Sequence, residues 1–391
     1  DELTTYLKSQ GENTVLLSSG DTWQGSSESN LTHGALMVEW MNALGFASMT
    51  LGNHEFDWGA EYIRSNGELA EFPLLAINIY SRETGEPVEY CQPSVMVHRN
   101  GIDIGIIGAI GDCYTSISGD KTQDIYFRTG SQLTELVKAE ATRLRQAGAE
   151  VIVYSIHDGI DRSPGSTASS QQLSGYYDTS LSNGYVDLVF EGHTHQRYVF
   201  TDEYGVYHLQ AGGENSGIAH ADLRYNLVTG TTAVTGDIVG SDIYGGSDPD
   251  PLIQQLLEKF ADQIALGDRV VGTVGEYMSS DQITQLVAEL YYHTGMDRWG
   301  DEYDIALAGA LIGVRNPYHI PSGQIRYSQL QSILPFDNQI VLCSVKGREL
   351  ISKFYETTNE KYGVYYEEYG QALRDNVDPN GTYYIITDTY T

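Results

Sequence analysis

Gly52-Asn53-His54-Glu55-Phe56-Asp57 is the stretch on which the reading of this chain turns. The run before it, residues 46–51, reads as a short buried strand, and a polar segment of helical spacing follows. Asn53 and His54 are therefore expected at the C-terminal end of a strand, where open α/β sheets place their chemistry. Asn53 carries a neutral carbonyl oxygen able to bind a metal ion, and His54 carries a nitrogen that titrates near neutrality. Asp57, one helical turn further on, is placed to orient that imidazole and fix its tautomer. The same residues also suit a helix N-cap followed by a surface histidine, so the hexapeptide alone does not decide.

Three other strand ends carry residues of the same kind. Residues 15–19 form a short apolar run, followed by Gly20-Asp21 and, four residues on, Gly25; the glycines let the backbone turn so that Asp21 points out of the sheet. An ordinary Gly-Asp turn is the alternative. Residues 31–44, with Leu36, Trp40 and Leu44 on one face, join this strand to the one ending at Gly52 as a helix, giving a β-α-β unit. Helix is expected over 61–71 and strands over 74–79 and 102–110, the last with only Asp112 at its exit. An amphipathic helix over 133–147 leads into a strand over 151–156 and then His157-Asp158-Gly159. Residues 161–183, rich in Ser, Gly and Thr, read as a long surface loop. A strand over 186–190 runs into Glu191-Gly192-His193-Thr194-His195, where His-x-His on extended backbone sends both side chains to the same side, as two ligands of one metal centre require. A pair of core or surface histidines is the competing reading; the other histidines lack such a setting and read as structural. A parallel sheet puts these exits on one edge, so Asp21, Asn53, His157, His193 and His195 are expected to converge. Oxygen and nitrogen donors without thiolate suit Zn, Mn, Fe or Co, and a carboxylate such as Asp21 can bridge two cations about 3.5–4 Å apart, the arrangement used in phosphoryl hydrolysis.

Composition narrows the function class. With 391 residues the chain is long enough for two domains, and Asp248-Pro249-Asp250-Pro251 marks the boundary, with Asp250 as cap and Pro251 as first residue of a helix over 252–266. A second helix is expected over 282–292 and a strand over 305–307. No apolar run approaches the roughly 18 residues of a membrane span. Twenty-two basic against 53 acidic residues give a net charge of −31, which argues against nucleic acid as a partner. It does not exclude a small anionic substrate, because bound divalent cations supply positive charge locally. Three cysteines, Cys91, Cys113 and Cys343, show no metal-ligand spacing and do not settle the redox compartment. Tyrosines crowd residues 362–390, a pattern that suits an aromatic binding surface and equally a set of strands.

In order and spacing, Gly20-Asp21 with Gly25, residues 52–57, His157 and Gly192-His193-Thr194-His195 resemble the metallophosphatase motifs of the 5′-nucleotidase family. Gly313-Val314-Arg315 and Leu334-Pro335-Phe336-Asp337-Asn338 resemble that family's C-terminal substrate domain. The resemblance spans nearly the whole chain and favours nucleotidases over protein phosphatases, whose Gly-Asp-x-x-Asp-Arg-Gly is absent. It implies an α/β protein: a layered metallophosphatase β-sandwich flanked by helices over 1–245 with its first strand missing, a linker helix over 246–267, and a smaller, incomplete α/β substrate domain over 268–391.

The activity it implies is dinuclear metal-dependent hydrolysis of nucleotide phosphate esters, with two divalent ions of the Zn, Mn, Fe or Co class in the full-length parent. By resemblance Asp21 bridges the metals, Asn53, His157 and His193 complete one site, and His195 serves the other. His54 and Asp57 form the catalytic dyad that stabilises the phosphate and assists the leaving oxygen. Arg315 contacts the nucleotide, Phe336 stacks on its base and Asn338 hydrogen-bonds it. An extracellular, periplasmic or cell-surface location is implied as well. A 2′,3′-cyclic nucleotide phosphodiesterase and a nucleotide-sugar hydrolase are alternatives within the class. A non-catalytic nucleotide-binding protein on a degraded scaffold is the alternative outside it; the five ligands and the dyad favour an enzyme. The chain departs from the family at three places. The Asp-x-His of the first motif is absent, the second stacking aromatic falls beyond Thr391, and Ala308-Gly309-Ala310-Leu311 lacks the usual Asn-Gly-Gly. The expectation is a fragment cut at both ends that binds about one metal tightly and has little phosphatase activity, since the second site retains only Asp21 and His195 where at least four ligands are preferred.

Overall fold

In the computed structural model, which describes residues 1–162, 165–173, 175–213, 216–244, 249–311, 319–355 and 362–389, Val151–His157 is a strand buried at every position. Burial on both faces is why it reads as an unbroken apolar run rather than an alternating one. The chain divides into two units, Asp1–Gln263 and Ile264–Thr391, and the expected α/β class holds in both.

In chain order, the first unit begins with β1 (Leu17–Ser18), β2 (Ser48–Thr50) and β3 (Leu74–Leu75), which pair in parallel as one three-stranded sheet. Next come β4 (Ile79–Ser81), β5 (Ser94–Arg99), β6 (Ile102–Ile110), β7 (Ile125–Phe127), β8 (Val151–His157), β9 (Leu188–Glu191), β10 (Arg197–Thr201) and β11 (Tyr207–Ala211). Six of these form a second sheet in the order β10-β11-β9-β8-β6-β5, parallel in its centre and antiparallel at both ends. β4 and β7 make a separate ribbon, and β12 (Gly217–Asn226) with β13 (Thr231–Gly240) makes a long hairpin.

The two sheets pack face to face. Thr50 on β2 donates to the Ser155 hydroxyl on β8 at 2.8 Å, and Gly108 on β6 admits β3 so closely that a Cβ there would lie 2.3 Å from the Cβ of Leu75. Along β8, Val151 and Val153 belong to the cluster containing Leu75, Ile104 and Ile106, whereas Ile152, Tyr154 and Ile156 pack with Val137, Ala141 and Leu144 of the helix Ser131–Gln146. The strand period of two then puts His157 on the same side as Val151, Val153 and Ser155, facing the other sheet. The layered sandwich that the resemblance implies holds, and only the argument that one parallel sheet edge gathers the ligands is corrected: β1 and β2 deliver Asp21 and Asn53 from one sheet, β8 and β9 deliver His157 and His193 from the other. Short strands of similar burial do not reveal in sequence which sheet they join.

Three further expectations change. Residues 161–183 are not simply a surface loop, because Leu173, Tyr177 and Leu181 are buried in the cluster beneath the second sheet. The helix expected over 31–44 is two, Ser27–Leu31 and Ala35–Leu44, interrupted where His33 and Gly34 have positive φ. The strand expected over 74–79 is split between β3 and β4. At the proposed boundary, Asp250 accepts from the Leu252 N–H and Pro251 opens the helix Pro251–Lys259, which gives way to Ala261–Ile264 and a tighter turn over Ala265–Asp268.

The second unit contains β14 (Val270–Val274), β15 (Ile305–Leu311), β16 (Gly323–Arg326), β17 (Ile340–Lys346), β18 (Tyr362–Tyr365) and β19 (Thr382–Asp388). Four of them form a mixed sheet, β17-β19-β15-β18, and β14 pairs with β16. Its helix Ser280–Trp299 is longer than expected; Ser279 and Gln282 form a reciprocal capping box at its start. Among the described residues no helix is long and apolar enough to cross a membrane.

Candidate metal centre

Where β1 ends, Gly20 adopts φ +97°. A Cβ there would meet the His157 Nδ1 at 2.6 Å and the Gly52 nitrogen at 2.7 Å, so only glycine lets the exits of β1, β2 and β8 crowd together. Asp21 follows with φ +54°. Its Oδ1 accepts the His54 backbone N–H at 2.8 Å, and its Oδ2 lies 3.0 Å from the His157 Nε2. The fully buried Glu55 accepts backbone N–H groups from both exits: Asp21 at 2.9 Å and Gly52 at 2.6 Å on Oε2, Thr22 at 2.8 Å and Trp23 at 3.4 Å on Oε1.

His157 hydrogen-bonds through Nδ1 to the Ser19 carbonyl at 2.6 Å, which turns Nε2 toward the oxygens. A histidine whose other nitrogen is engaged by a backbone carbonyl is oriented as a metal ligand. Asn53 Oδ1 sits 3.2 Å from that Nε2 and 2.9 Å from the Nδ1 of His193. Asp21, Asn53, His157 and His193 therefore converge from four strand exits, with His157 and Asn53 buried and His193 half-buried.

The extended His-x-His expectation is overturned. β9 ends at Glu191, and His193 and His195 have φ +65° and +54°, so the strand rule for side-chain direction does not apply to them. His193 reaches Asn53, whereas His195 is exposed with its ring on the backbone of the next turn, its Cγ 2.6 Å from where a Gly213 Cβ would stand. The loop is tied from outside. Gln210 donates to the Thr194 and Tyr198 hydroxyls at 2.9 and 3.0 Å and accepts from the Gln196 N–H at 3.1 Å, and Thr194 donates to the Ile160 carbonyl. Tyr198 and Tyr176 both donate to Glu191, at 2.6 and 2.9 Å. Asp21, His193 and His195 are three of the five described non-glycine residues with positive φ. Such backbone persists where the surroundings over-determine it, often at functional sites.

The charges are arranged around Asp21. Burial raises its pKa, but the positive charges of His157 and His54 outweigh burial and hold its carboxyl well below the usual range. Burial lowers His157, yet the Asp21 carboxylate carries it up to about 9. His193 is pushed down to about 4, by burial first and then by His157, so its imidazole is neutral and able to bind a cation. Beside this group, His54 Nδ1 meets Asp57 Oδ2 at 2.9 Å, both side chains remaining partly exposed.

Sequence reasoning gave no role to Glu55, Glu191, Tyr198, Gln210 or Cys113. Glu55 stands within the opening motif, and its burial was the signal that only the fold supplies. Cys113 stands beside the centre, its ligand atom and those of His157 and His193 lying within 4.8 Å of one another. Its thiol donates to the His157 carbonyl at 2.8 Å, and burial, followed by Asp158, raises its pKa well above normal, which makes it a neutral neighbour. In the second unit, Phe336 and Asn338 are half-buried between the helix Tyr327–Ile333 and β17. Arg315 lies outside the described residues, as do Gly313 and Val314.

Oxygen from Asp21 and Asn53 with nitrogen from His157 and His193 is a donor set that fits a divalent cation of borderline hardness. The model of the calcineurin-like phosphoesterases matches residues 1–197, and that of the 5′-nucleotidase C-terminal domain matches residues 270–380. The chain is 27% identical over 382 residues to an apyrase of Tabanus yao, covering 89% of this chain and 65% of that protein. It is 25% identical over 445 residues to Protein UshA of Yersinia enterocolitica, covering 99% of this chain and 78% of that protein. Among solved structures, a 5′-nucleotidase precursor from Thermus thermophilus superposes with a TM-score of 0.73 at 18% identity, over 100% of this chain and 83% of the other. A putative 5′-nucleotidase from Staphylococcus aureus gives 0.74 at 16% identity, over 100% and 84%. At such identities the structural likeness shows the fold alone.

Proposed function

The chain belongs to the calcineurin-like phosphoesterase family, and from that premise we propose that it hydrolyses nucleotide phosphate esters with the help of divalent metal ions. The observation that carries this reading is the convergence of Asp21, Asn53, His157 and His193 from two sheets, beside the paired His54 and Asp57. The match of the second unit to the 5′-nucleotidase C-terminal domain supports a nucleotide as the small-molecule substrate. An extracellular, periplasmic or cell-surface location belongs to the same proposal and rests on the resemblance.

In this proposal Asp21, Asn53, His157 and His193 hold one ion of the Zn, Mn, Fe or Co class, while Asp21 is shared with a second that His195 also serves. Bound there, such ions polarise the phosphoryl oxygens and lower the pKa of water. The rest is done by side chains. Asp57 engages Nδ1 of His54 and sets the tautomer, so that proton exchange with the leaving oxygen takes place at Nε2. Phe336 stacks on the base, Asn338 hydrogen-bonds it, and Arg315 contacts the nucleotide.

A phosphate-release screen with Mn²⁺, Zn²⁺ or Co²⁺ added, over nucleoside phosphates, 2′,3′-cyclic nucleotides, nucleotide sugars and an aryl phosphate, tests the reading. Release from nucleoside phosphates that EDTA abolishes is the expected result, and it is expected to be slow, because the second ion's assigned ligands are His195 and the shared Asp21. Nucleotide binding without metal-dependent release from any of them would instead establish the non-catalytic alternative.

A further inference from the structure

Glu55 is the one charged side chain of residues 52–57 with no accessible surface, and the chemistry described so far gives it no part. The ladder between β1 and β2 consists of two residue pairs and ends at Ser18 opposite Met49. Beyond it no strand pairing holds Gly20-Asp21 against Gly52-Asn53. The Glu55 carboxylate occupies that place, taking the N–H groups of Asp21, Thr22 and Trp23 from one loop and of Gly52 from the other. Four backbone N–H donors gathered on one buried carboxyl group together offset the cost of holding Asp21 at φ +54°. A shorter Asp would not reach both loops, and Gln would turn an NH₂ toward two N–H donors.

We propose that Glu55 is a positioning residue that sets the direction of the Asp21 carboxylate, and thereby the affinity of the centre for a divalent cation. This rests on the reading of Asp21 as a metal ligand. With the clamp closed, Asp21 keeps Oδ1 on the His54 N–H and Oδ2 beside His157. Without it the loop relaxes out of the left-handed region and the carboxylate turns away.

The test is calorimetric titration of Mn²⁺ into metal-free wild type and Glu55→Gln, with the visible spectrum of the Co²⁺-loaded proteins as a second readout and thermal unfolding in EDTA as the control for folding. The expected result is Mn²⁺ affinity at least tenfold weaker and an altered Co²⁺ spectrum in a variant that still unfolds cooperatively. Equal Mn²⁺ affinity and identical Co²⁺ spectra overturn the proposal while leaving the metal centre standing. A wild type that binds no Mn²⁺ overturns the metal centre itself. Should Glu55→Gln not fold, amide exchange in metal-free wild type decides: the N–H groups of Asp21, Thr22 and Gly52 are expected to be protected like strand amides, and exchange at the rate of exposed loops overturns the clamp.

Discussion

His208 offers a test of the framework that holds the His193 loop. It has no exposed surface and lies between Glu191 Oε1 at 2.9 Å and Asp202 Oδ2 at 3.5 Å, with Phe200 stacked on its ring at 5.0 Å. Burial lowers its pKa, but Glu191 and Asp202 overcome this and carry it from 6.5 to about 9. At about 1.4 kcal/mol per pH unit, a rise of this size corresponds to about 3 kcal/mol of folding stability. Because the folded pKa is the higher one, the contribution is complete below pH 6.5, declines as the pH rises, and is lost above about 9. The assay is urea unfolding in EDTA of wild type and His208→Gln, followed by tryptophan fluorescence; Trp23, Trp40 and Trp58, three of the four tryptophans, lie in this unit. His157 titrates alike in both proteins, so their difference isolates His208. The stability gap is expected to narrow by about 3 kcal/mol between about pH 6 and pH 10. Parallel curves over that range would refute the charged-pair reasoning.

Three other outcomes are expected. In a protein that carries the complete set of metal ligands, His54→Ala lowers kcat by roughly 10² to 10⁴ with metal content unchanged, measured by nucleotide hydrolysis and metal analysis; metal loss would make His54 a ligand instead. Phe336→Ala weakens purine nucleotides by roughly 1–3 kcal/mol and leaves an aryl phosphate nearly unaffected, whereas equal loss on both would assign Phe336 to packing. Gly108→Val, whose Cβ would collide with Leu75, costs about 1–3 kcal/mol by overpacking in a denaturant titration, and an unchanged midpoint would mean the sheets are not in close contact there.

The individual strand exits were legible because each pairs an apolar run with a residue that has no packing reason to be there: Asp21, Asn53, His157, His193. What the sequence does not carry is the assignment of those strands to two sheets, since two- and three-residue strands such as β1 and β2 have no periodicity to read. The local backbone of Gly192-His193-Thr194-His195 was hidden for a different reason. Its left-handed turns are tied by Gln210, Tyr198 and Glu191, and Gln210 reaches them from another strand, β11. Leu173, Tyr177 and Leu181 are scattered among Ser, Gly and Thr, so their burial left no pattern. Glu55 was in plain view and unassigned, because an acidic residue in a polar motif reads as solvated until four backbone N–H groups are found around it.

The central claim is that Asp21, Asn53, His157 and His193 bind one cation together. Anomalous diffraction at the manganese edge from a crystal soaked in Mn²⁺ tests it most directly. The account predicts a peak bonded by the Asp21 carboxylate, the Asn53 Oδ1, the His157 Nε2 and the His193 imidazole; manganese bound only elsewhere, or a peak that includes neither Asp21 nor Asn53, would contradict it.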